Sequence, residues 1–398
     1  MPRPISPLRL TAYTATTACG IGREALRVAL ATRRSGLRRN DFGRDPLPTF
    51  IGRVEGVEDA PLPAAHAEWE CRNNRLAWMG LNADGFLAAA QAARAKYGAA
   101  RVALVLGTST SSIGASEEAY AQLTPEGLYP PELRRPIVHT PHSLGDYVQH
   151  ALALEGPCMT VATACSSSAK VFAQAERLIR AGLADAAIVG GVDSLCGSVL
   201  FGFHALELIS PEPCRPFDTA RRGINIGEAA GFALLERDDA ASAGPRLLGY
   251  GESSDAHHMS TPHPQGEGAR RALSDALARG ARVAADIDYI NLHGTASLKN
   301  DEVEAAVVAD RFPATTRASS TKGWTGHTLG AAGIVEAVIT LLALEHGFAP
   351  GTLNAQTLDP ACGPQVRLDN EAASIRHALS FSFGFGGNNC VLLFGGTA

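Results

Sequence analysis

Short apolar runs alternate with longer amphipathic stretches along this chain, and the alternation constrains its fold more than any other feature. Five runs are rich in branched apolar residues and too short for typical helices, so they predict buried strands. They are RVALVLG (101–107), CMTVAT (158–163), AAIVGG (186–191), DYINLHG (288–294) and CVLLFGG (390–396). Helical patterns fill the intervals. The chain is therefore predicted to be α/β, with helices covering sheets.

One segment predicts the joint between two halves. Residues 236–245 (ERDDAASAGP) are polar or small and end in proline, as is typical of a linker. Each half ends on a strand-like run with glycines, which suggests two related units. We expect an N-terminal half at 1–240 and a C-terminal half at 241–398. The proline-rich segment 124–142 predicts a long surface excursion.

Composition narrows the class of protein. The chain is 45% hydrophobic and 19% charged, values typical of a globular protein. Acidic residues outnumber basic ones 40 to 35, which gives no indication of nucleic-acid binding. We see no uninterrupted apolar run of membrane length and no leader, so we expect no membrane anchor and a cytoplasmic location. The eight cysteines are scattered without a CxxC pair, which predicts neither a zinc site nor a disulfide framework.

One cysteine lies between a predicted strand and a predicted helix. The segment PCMTVATACSSSAKVFAQA places Cys165 within a residue or two of a helix N-terminus. The positive end of a helix lowers the pKa of a thiol and so favours the reactive thiolate. Cys165 is therefore a candidate nucleophile. The alternative is a buried structural cysteine followed by a serine cap, a role that also suits Cys158.

Two histidines lie where loops leave the predicted scaffold. His293 ends the strand-like run in DYINLHGTAS, and His327 lies in a Gly/Thr turn just before a helix that carries Glu336. A neutral imidazole can donate a hydrogen bond to a developing enolate or move a proton near pH 7. Taken singly, each histidine is better explained as a residue that is simply hydrogen-bonded to backbone groups.

Two further patterns carry weaker signals. His257, His258 and His263 suggest a metal site, but only Asp255 accompanies them and the spacing matches no known ligand set, so we predict no metal. The glycine-rich tail SFSFGFGGNNC does not match a phosphate-binding loop. Its glycines predict a close approach of backbone to a ligand or to the nucleophile.

Four segments taken together resemble one known family. In this order the chain contains VATACSSSAKVFAQA, NLHGTAS, STKGWTGHTLGAAGIVEA and SFSFGFGGNN. They resemble the elongating β-ketoacyl-acyl-carrier-protein synthases of the thiolase superfamily, and segments 186–194 and 217–237 fit the same pattern. The resemblance implies a thiolase-like α/β fold of two similar halves packed as five layers, α-β-α-β-α. It also implies an acyltransferase that condenses an acyl thioester with malonyl-acyl-carrier protein, without metal or cofactor.

The resemblance assigns catalytic roles to five residues. Cys165 would accept the acyl group from its carrier. His293 and His327 would promote decarboxylation of the malonyl group and stabilise the enolate. Lys322 and Glu336 match the charged positions that support these histidines in the family.

The resemblance also implies how substrate and carrier would bind. The backbone N–H groups of Cys165 and Phe385 would form an oxyanion hole. Arg72 and Arg75 would dock the acidic carrier protein, unless they are simply solvated surface arginines. The residues expected to contact the pantetheine arm or the acyl chain are Thr295, Ser297, Phe203, Phe383 and Phe385.

Three positions depart from the family pattern. Ser297 and Leu298 stand where the family commonly has threonine and proline, and Asn388 stands where threonine is usual. These changes alter the expected pantetheine contacts and point to a specialised polyene or polyketide synthase rather than housekeeping fatty acid synthesis. The expected partners are acyl- and malonyl-loaded carrier protein and a second copy of the chain, with a related subunit in a heterodimer as the alternative.

Other activities account for fewer of these motifs. A thiolase would need a second catalytic cysteine, and a chain-initiating synthase would use Cys, His and Asn. A non-catalytic chain-length factor typically lacks the nucleophile, whereas this chain has Cys165. A Cys/His hydrolase would leave His327 without a role.

Overall fold

The protein is described by a computed structural model that covers residues 2–238 and 242–396. The strands are β1 (Leu8–Thr17), β2 (Arg38–Arg39), β3 (Phe50–Gly52), β4 (Val102–Gly107), β5 (Cys158–Val161), β6 (Ala186–Asp193), β7 (Ile226–Gly227), β8 (Ala229–Arg237), β9 (Arg246–Ser254), β10 (Tyr289–Asn291), β11 (Arg317–Ser319), β12 (Phe348–Ala349), β13 (Glu371–Ala372), β14 (His377–Gly384) and β15 (Asn388–Gly395). The α-helices are α1 (Gly22–Ala31), α2 (Arg72–Leu81), α3 (Phe86–Tyr97), α4 (Ile113–Tyr120), α5 (Ser143–Ala151), α6 (Ser167–Arg180), α7 (Gly197–Ala205), α8 (Glu267–Arg279), α9 (Leu298–Arg311), α10 (Lys322–Thr325) and α11 (Ala332–His346).

Ten strands form one sheet in the order β11-β10-β14-β15-β9-β1-β8-β6-β4-β5. The sheet divides into two half-sheets of five strands, because β1 and β9 pair through only two residue pairs. Counted inward from its outer edge, each half-sheet has two parallel pairings followed by two antiparallel ones. The same topology therefore occurs twice, once before residue 238 and once after residue 245.

Helices pack on both faces of each half-sheet. Between the half-sheets lie α6 and α11, whose apolar side chains share one core with strands of both halves. The outer face of the N-terminal half-sheet is covered by α2, α3 and α5. The outer face of the C-terminal half-sheet is covered by α8 and α9. This gives five layers in the order helix, sheet, helix, sheet, helix.

The structure bears out most of the predicted elements. All five apolar runs contain strands, and the proline-rich segment 124–142 runs over the surface before α5 begins. The prediction of a buried strand at 158–163 was wrong in one respect: β5 is an edge strand, and its residues are only partly buried. The predicted boundary between residues 240 and 241 lies outside the described residues, so the domain limits stay a prediction.

One helical stretch of the described chain is long and apolar enough to cross a membrane. It runs from Leu329 to His346 and includes α11. However, 83% of this stretch is buried inside the protein. Its apolar character on all sides is that of a central core helix, because α11 packs between two half-sheets.

A glycine at the end of β4 lets α6 approach the sheet. A Cβ at Gly107 would lie 2.4 Å from the backbone nitrogen of Ser168 and 2.6 Å from the carbonyl carbon of Ser167. Real Cβ atoms do not approach backbone so closely, so any side chain here would push the start of α6 outward. Gly107 therefore positions the helix that follows Cys165.

We expect Gly107→Ala to lower the free energy of unfolding by about 1–3 kcal/mol, because the added methyl overpacks a rigid contact. Urea unfolding followed by circular dichroism measures this. The matched control is Gly202→Ala in α7, where a Cβ meets nothing within 4 Å. In the control, the free energy of unfolding should rise by about 0.5–1 kcal/mol, because alanine has a higher helix propensity than glycine. Equal stability of Gly107→Ala and wild type would contradict the assignment.

Candidate functional site

The candidate nucleophile lies in a tight turn between an edge strand and a central helix. β5 ends at Val161 and α6 begins at Ser167, so Cys165 precedes the helix by two residues. Ala164 has a φ of +52°, a left-handed conformation that costs energy for a residue with a side chain. Gly384 lies against this turn, and a Cβ there would come within 2.8 Å of the Thr163 carbonyl oxygen. The sharp turn exposes the thiol to the loop after Gly384, as the glycine-rich tail predicts.

The turn that carries His327 is held by its neighbours. The His327 N–H donates to the Asn225 carbonyl over 2.7 Å, and the His327 carbonyl accepts from the Gly227 N–H over 2.9 Å. Its ring nitrogen Nε2 lies 3.0 Å from Sγ of Cys165. The thiol and the imidazole are therefore within hydrogen-bonding distance, which is the arrangement needed to activate a nucleophile.

A buried carboxylate holds the second histidine loop. The N–H groups of His293 and Gly294 donate to the two oxygens of Glu304, each over 2.7 Å. The rings of His293 and His327 lie edge to face with centroids 5.4 Å apart. Nitrogen or sulfur atoms of His293, His327 and Cys165 all lie within 4.8 Å of one another. Residues that are distant in sequence thus meet around one thiol.

A buried lysine supports His293 from behind. The Lys322 ammonium donates to the His293 carbonyl and to the Glu336 carboxylate. It also lies 3.4 Å from Nδ1 of His293. Because an ammonium has only donors, Nδ1 is left as the acceptor and Nε2 carries the proton. The neutral ring can then donate from Nε2.

Burial keeps the reacting groups uncharged. Desolvation, reinforced by the Lys322 charge, holds the pKa of His327 and that of His293 well below their usual range. Desolvation also raises the pKa of the Cys165 thiol to about 12, although the Phe385 N–H and Lys322 oppose this. The sequence-based expectation of a lowered thiol pKa was therefore wrong, because the cost of burying a thiolate exceeds the effect of the helix terminus.

The same three side chains are the one group among the described residues with the geometry to hold a metal ion. Lys322 lies next to this group, and its positive charge opposes a bound cation. His257, His258 and His263 form no such cluster within the described chain.

The predicted substrate contacts line one pocket. Its volume is about 560 Å³, and Cys165, His293 and His327 lie in its wall. The hydroxyls of Thr295 and Ser297 are 2.9 Å apart and bond to each other. The other predicted contacts in the wall are Phe203, Phe383 and Phe385. The Phe385 N–H faces the Cys165 sulfur, which suits an oxyanion-hole donor, although the roles of all these residues stay predictions.

Arg72 and Arg75 both pair with carboxylates of the same chain. The Arg72 guanidinium makes a bidentate pair with Glu228, whose carboxylate is fully buried, and also contacts Glu58. Arg75 pairs with Glu70 over 2.5 Å. Neither arginine lines the pocket. The geometry gives Arg72 a part in holding the fold, and carrier docking at these arginines stays a prediction.

Sequence reasoning missed the carboxylates that hold the loops. Asp193 ends β6 and accepts hydrogen bonds from the Thr108 hydroxyl, the Ser109 N–H and the Gly330 N–H, three residues after His327. Glu304 was also missed. The available signals were an acid at the end of a buried strand and an acid on the inner face of the helix that follows a histidine loop.

Two family models match this chain. The model described as the N-terminal domain of beta-ketoacyl synthase matches residues 74–241, and the model of its C-terminal domain matches residues 246–356. Together they cover well over half of the chain.

Curated and solved relatives agree with the family models. The chain is 38% identical to a mitochondrial 3-oxoacyl-[acyl-carrier-protein] synthase of Arabidopsis thaliana and 41% identical to synthase 2 of Rhizobium meliloti, over 62% and 60% of its length. It spans only 58% and 61% of these relatives. A solved ketosynthase in complex with its chain length factor, from Xenorhabdus doucetiae, is 35% identical with a TM-score of 0.89 over 98% of both chains. This last match confirms the predicted thiolase-like fold.

We expect the alkylation rate of Cys165 by iodoacetamide to rise about tenfold per pH unit from pH 7 to pH 10, because only the thiolate reacts. The reason is that burial raises the thiol pKa to about 12, so the thiolate fraction keeps growing across this range. Peptide mapping by mass spectrometry measures the rate. N-acetylcysteine is the control, and its alkylation rate should level off at about pH 9, near the ordinary pKa of a free thiol. A plateau for Cys165 below pH 8 would reveal a stable thiolate and imidazolium pair instead.

We expect Arg72→Met to lower the free energy of unfolding by about 3–5 kcal/mol, because it leaves the Glu228 charge buried without its partner. The control Arg75→Met removes a more exposed pair and should cost about 1 kcal/mol or less. Chemical unfolding of both variants makes the comparison. Equal losses at the two positions would argue against a structural role specific to Arg72.

Proposed function

The chain belongs to the β-ketoacyl synthase family, and from this membership we propose that it condenses an acyl thioester with malonyl-acyl-carrier protein. One observation carries the proposal: Sγ of Cys165 lies 3.0 Å from Nε2 of His327, with His293 beside them in the same pocket. A nucleophile with one base would suffice for hydrolysis. A second neutral imidazole supplies the extra donor that an enolate requires.

In the first half-reaction the acyl group moves from the carrier to the enzyme. Sγ attacks the thioester carbonyl while its proton passes to Nε2 of His327. We assign stabilisation of the developing oxyanion to the Phe385 N–H, because this group faces the Cys165 sulfur. The C–S bond to the carrier then breaks and the departing carrier thiolate takes a proton from solvent, so the proton of Cys165 stays on Nε2 of His327. A thiol of raised pKa suits this step, because the proton is removed as the new bond forms.

In the second half-reaction the malonyl thioester loses carbon dioxide. The electron pair of the broken C–C bond forms an enolate, and N–H groups of His293 and His327 stabilise its oxygen. The enolate carbon attacks the acyl carbonyl on Cys165, and the cysteine thiolate leaves and recovers its proton from Nε2 of His327. Electrons balance within the substrates, so the step requires no redox partner. Lys322 keeps His293 in the donor tautomer and holds its backbone.

Membership of the family also supports proposals for the substrates, the pathway class and the subunit partner of this chain. We propose acyl- and malonyl-loaded carrier proteins as substrates, in fatty acid or in polyene or polyketide synthesis. The solved relative from Xenorhabdus doucetiae is complexed with a chain length factor. We propose that this chain is likewise the catalytic member of a dimer, with its own copy or a related subunit. Its eight free cysteines suit the reducing cytoplasm.

We expect Cys165→Gln to abolish condensation of acyl-carrier with malonyl-carrier, because no acyl-enzyme can form, while malonyl decarboxylation continues at the two histidines. Release of carbon dioxide from labelled malonyl-carrier and mass spectrometry of the products measure the two reactions separately. The control is Cys158→Ser, which changes a cysteine on β5, the strand before the turn, outside the pocket. This control should condense at the wild-type rate.

Condensation by Cys165→Gln would overturn the proposal. Loss of activity in Cys158→Ser would do the same, since it would place the essential thiol on β5 rather than in the turn.

A further inference from the structure

The pocket that contains Cys165 has two exposed cations in its wall. Arg222 and Lys299 line the pocket together with Cys165, and their side chains are 61% and 70% exposed. One exposed acid, Glu207, lines the same pocket. The exposed charged side chains of the pocket wall are therefore two positive and one negative. The less exposed Arg221 and Asp255 add one charge of each sign.

The two cations project from segments that are bonded side by side. The Gly223 N–H donates to the Ala296 carbonyl over 3.1 Å, and Arg221 donates from Nη2 to the Leu298 carbonyl over 3.0 Å. The Arg221 side chain is 3% exposed, and its Nε has no hydrogen-bond partner among the described residues. Arg221 thus fixes the segment carrying Arg222 to the start of α9.

The start of α9 adds to the positive potential. Ser297 occupies the N-cap position but makes no capping hydrogen bond, because its hydroxyl pairs with Thr295. Among the described residues, no side chain caps the first N–H groups of the helix, including that of Lys299. A helix start of this kind attracts anions. It supports the two side-chain cations rather than forming a site alone.

The ion pairs that both cations make within the chain are weak. Arg222 lies 3.4 Å from Glu212, and Lys299 lies 3.2 Å from Glu302 on the same helix face. Exposed pairs like these contribute little and exchange readily for a stronger anion. A guanidinium and an ammonium at one opening suit a phosphate, whose oxygens accept from both.

Resting on the proposed function, we propose that Arg222 and Lys299 bind the phosphodiester that joins the pantetheine arm to its carrier protein. Each part of the pocket then matches one part of the arm. The neutral thiol and the two imidazoles receive the thioester, and the paired hydroxyls of Thr295 and Ser297 lie along the wall beside the pantetheine. The mouth receives the one charged group of the arm. These residues position substrate and take no part in the chemistry.

Three acyl thioesters test the proposal: acyl-pantetheine without phosphate, acyl-phosphopantetheine and acyl-carrier. For Arg222→Gln and Lys299→Gln, we expect the ratio of kcat/KM for acyl-phosphopantetheine to that for acyl-pantetheine to fall about tenfold, since each variant loses a charge-assisted hydrogen bond. The change should lie in KM rather than kcat. The double variant should lose more than either single variant.

The matched control is Arg271→Gln, which removes an exposed arginine on α8 that pairs with Glu267 and lies outside the pocket. Its ratio should equal that of wild type. Thermal melts check that the variants fold. If Arg222→Gln and Lys299→Gln weaken only the acyl-carrier reaction, the cations contact the carrier surface and the proposal is overturned. An unchanged ratio also overturns it.

The experiment separates this inference from the proposed function. Wild-type enzyme that condenses none of the three thioesters contradicts the proposed function. Wild-type enzyme that condenses all three, with variants that keep the wild-type ratio, contradicts only the phosphate site.

Discussion

The contact between α6 and α11 is the constraint on which the rest of the structure depends. Gly333 on α11 lies so close to α6 that a Cβ there would come within 2.4 Å of the Ala169 nitrogen, and the Ile334 N–H donates to the Ser168 hydroxyl over 2.9 Å. α6 follows Cys165 and α11 follows His327, so this contact fixes the distance between thiol and imidazole. Because the helices belong to different halves, the site exists only when both halves are packed.

Buried carboxylates hold the catalytic loops in the positions that this helix packing sets. Glu304 holds the His293 loop by two backbone N–H groups, and Asp193 ties the strand end of the N-terminal half to the turn beyond His327. Backbone N–H groups satisfy the hydrogen-bonding capacity of these acids, so the fold fixes the position of each acid and of the loop bonded to it. The reacting groups themselves are neutral, although the buried Lys322 and Glu336 pair lies directly behind His293.

Local sequence predicted what depends on local physics. Apolar runs predicted β4 and β6, and the small residues around Cys165 predicted a turn into a helix. Both signals are local, because the hydrophobic pattern of a strand and the side-chain sizes in a turn involve only a few neighbouring residues. The exposure of β5 depends on strand order, which no run of residues encodes. The raised thiol pKa and the Arg72 pair with Glu228 also depend on what distant segments bury. The resemblance supplied the grouping of Cys165 with the two histidines, which local patterns left open.

The uncharged resting state of the thiol has a consequence for the chemical durability of the enzyme. Peroxide oxidises thiolates, and it does so most readily where they are exposed. Cys165 is 5% exposed and stays protonated at neutral pH, so the resting nucleophile is a poor target for oxidation to sulfenic acid. The desolvation that makes the proton hard to remove therefore also preserves the thiol between turnovers.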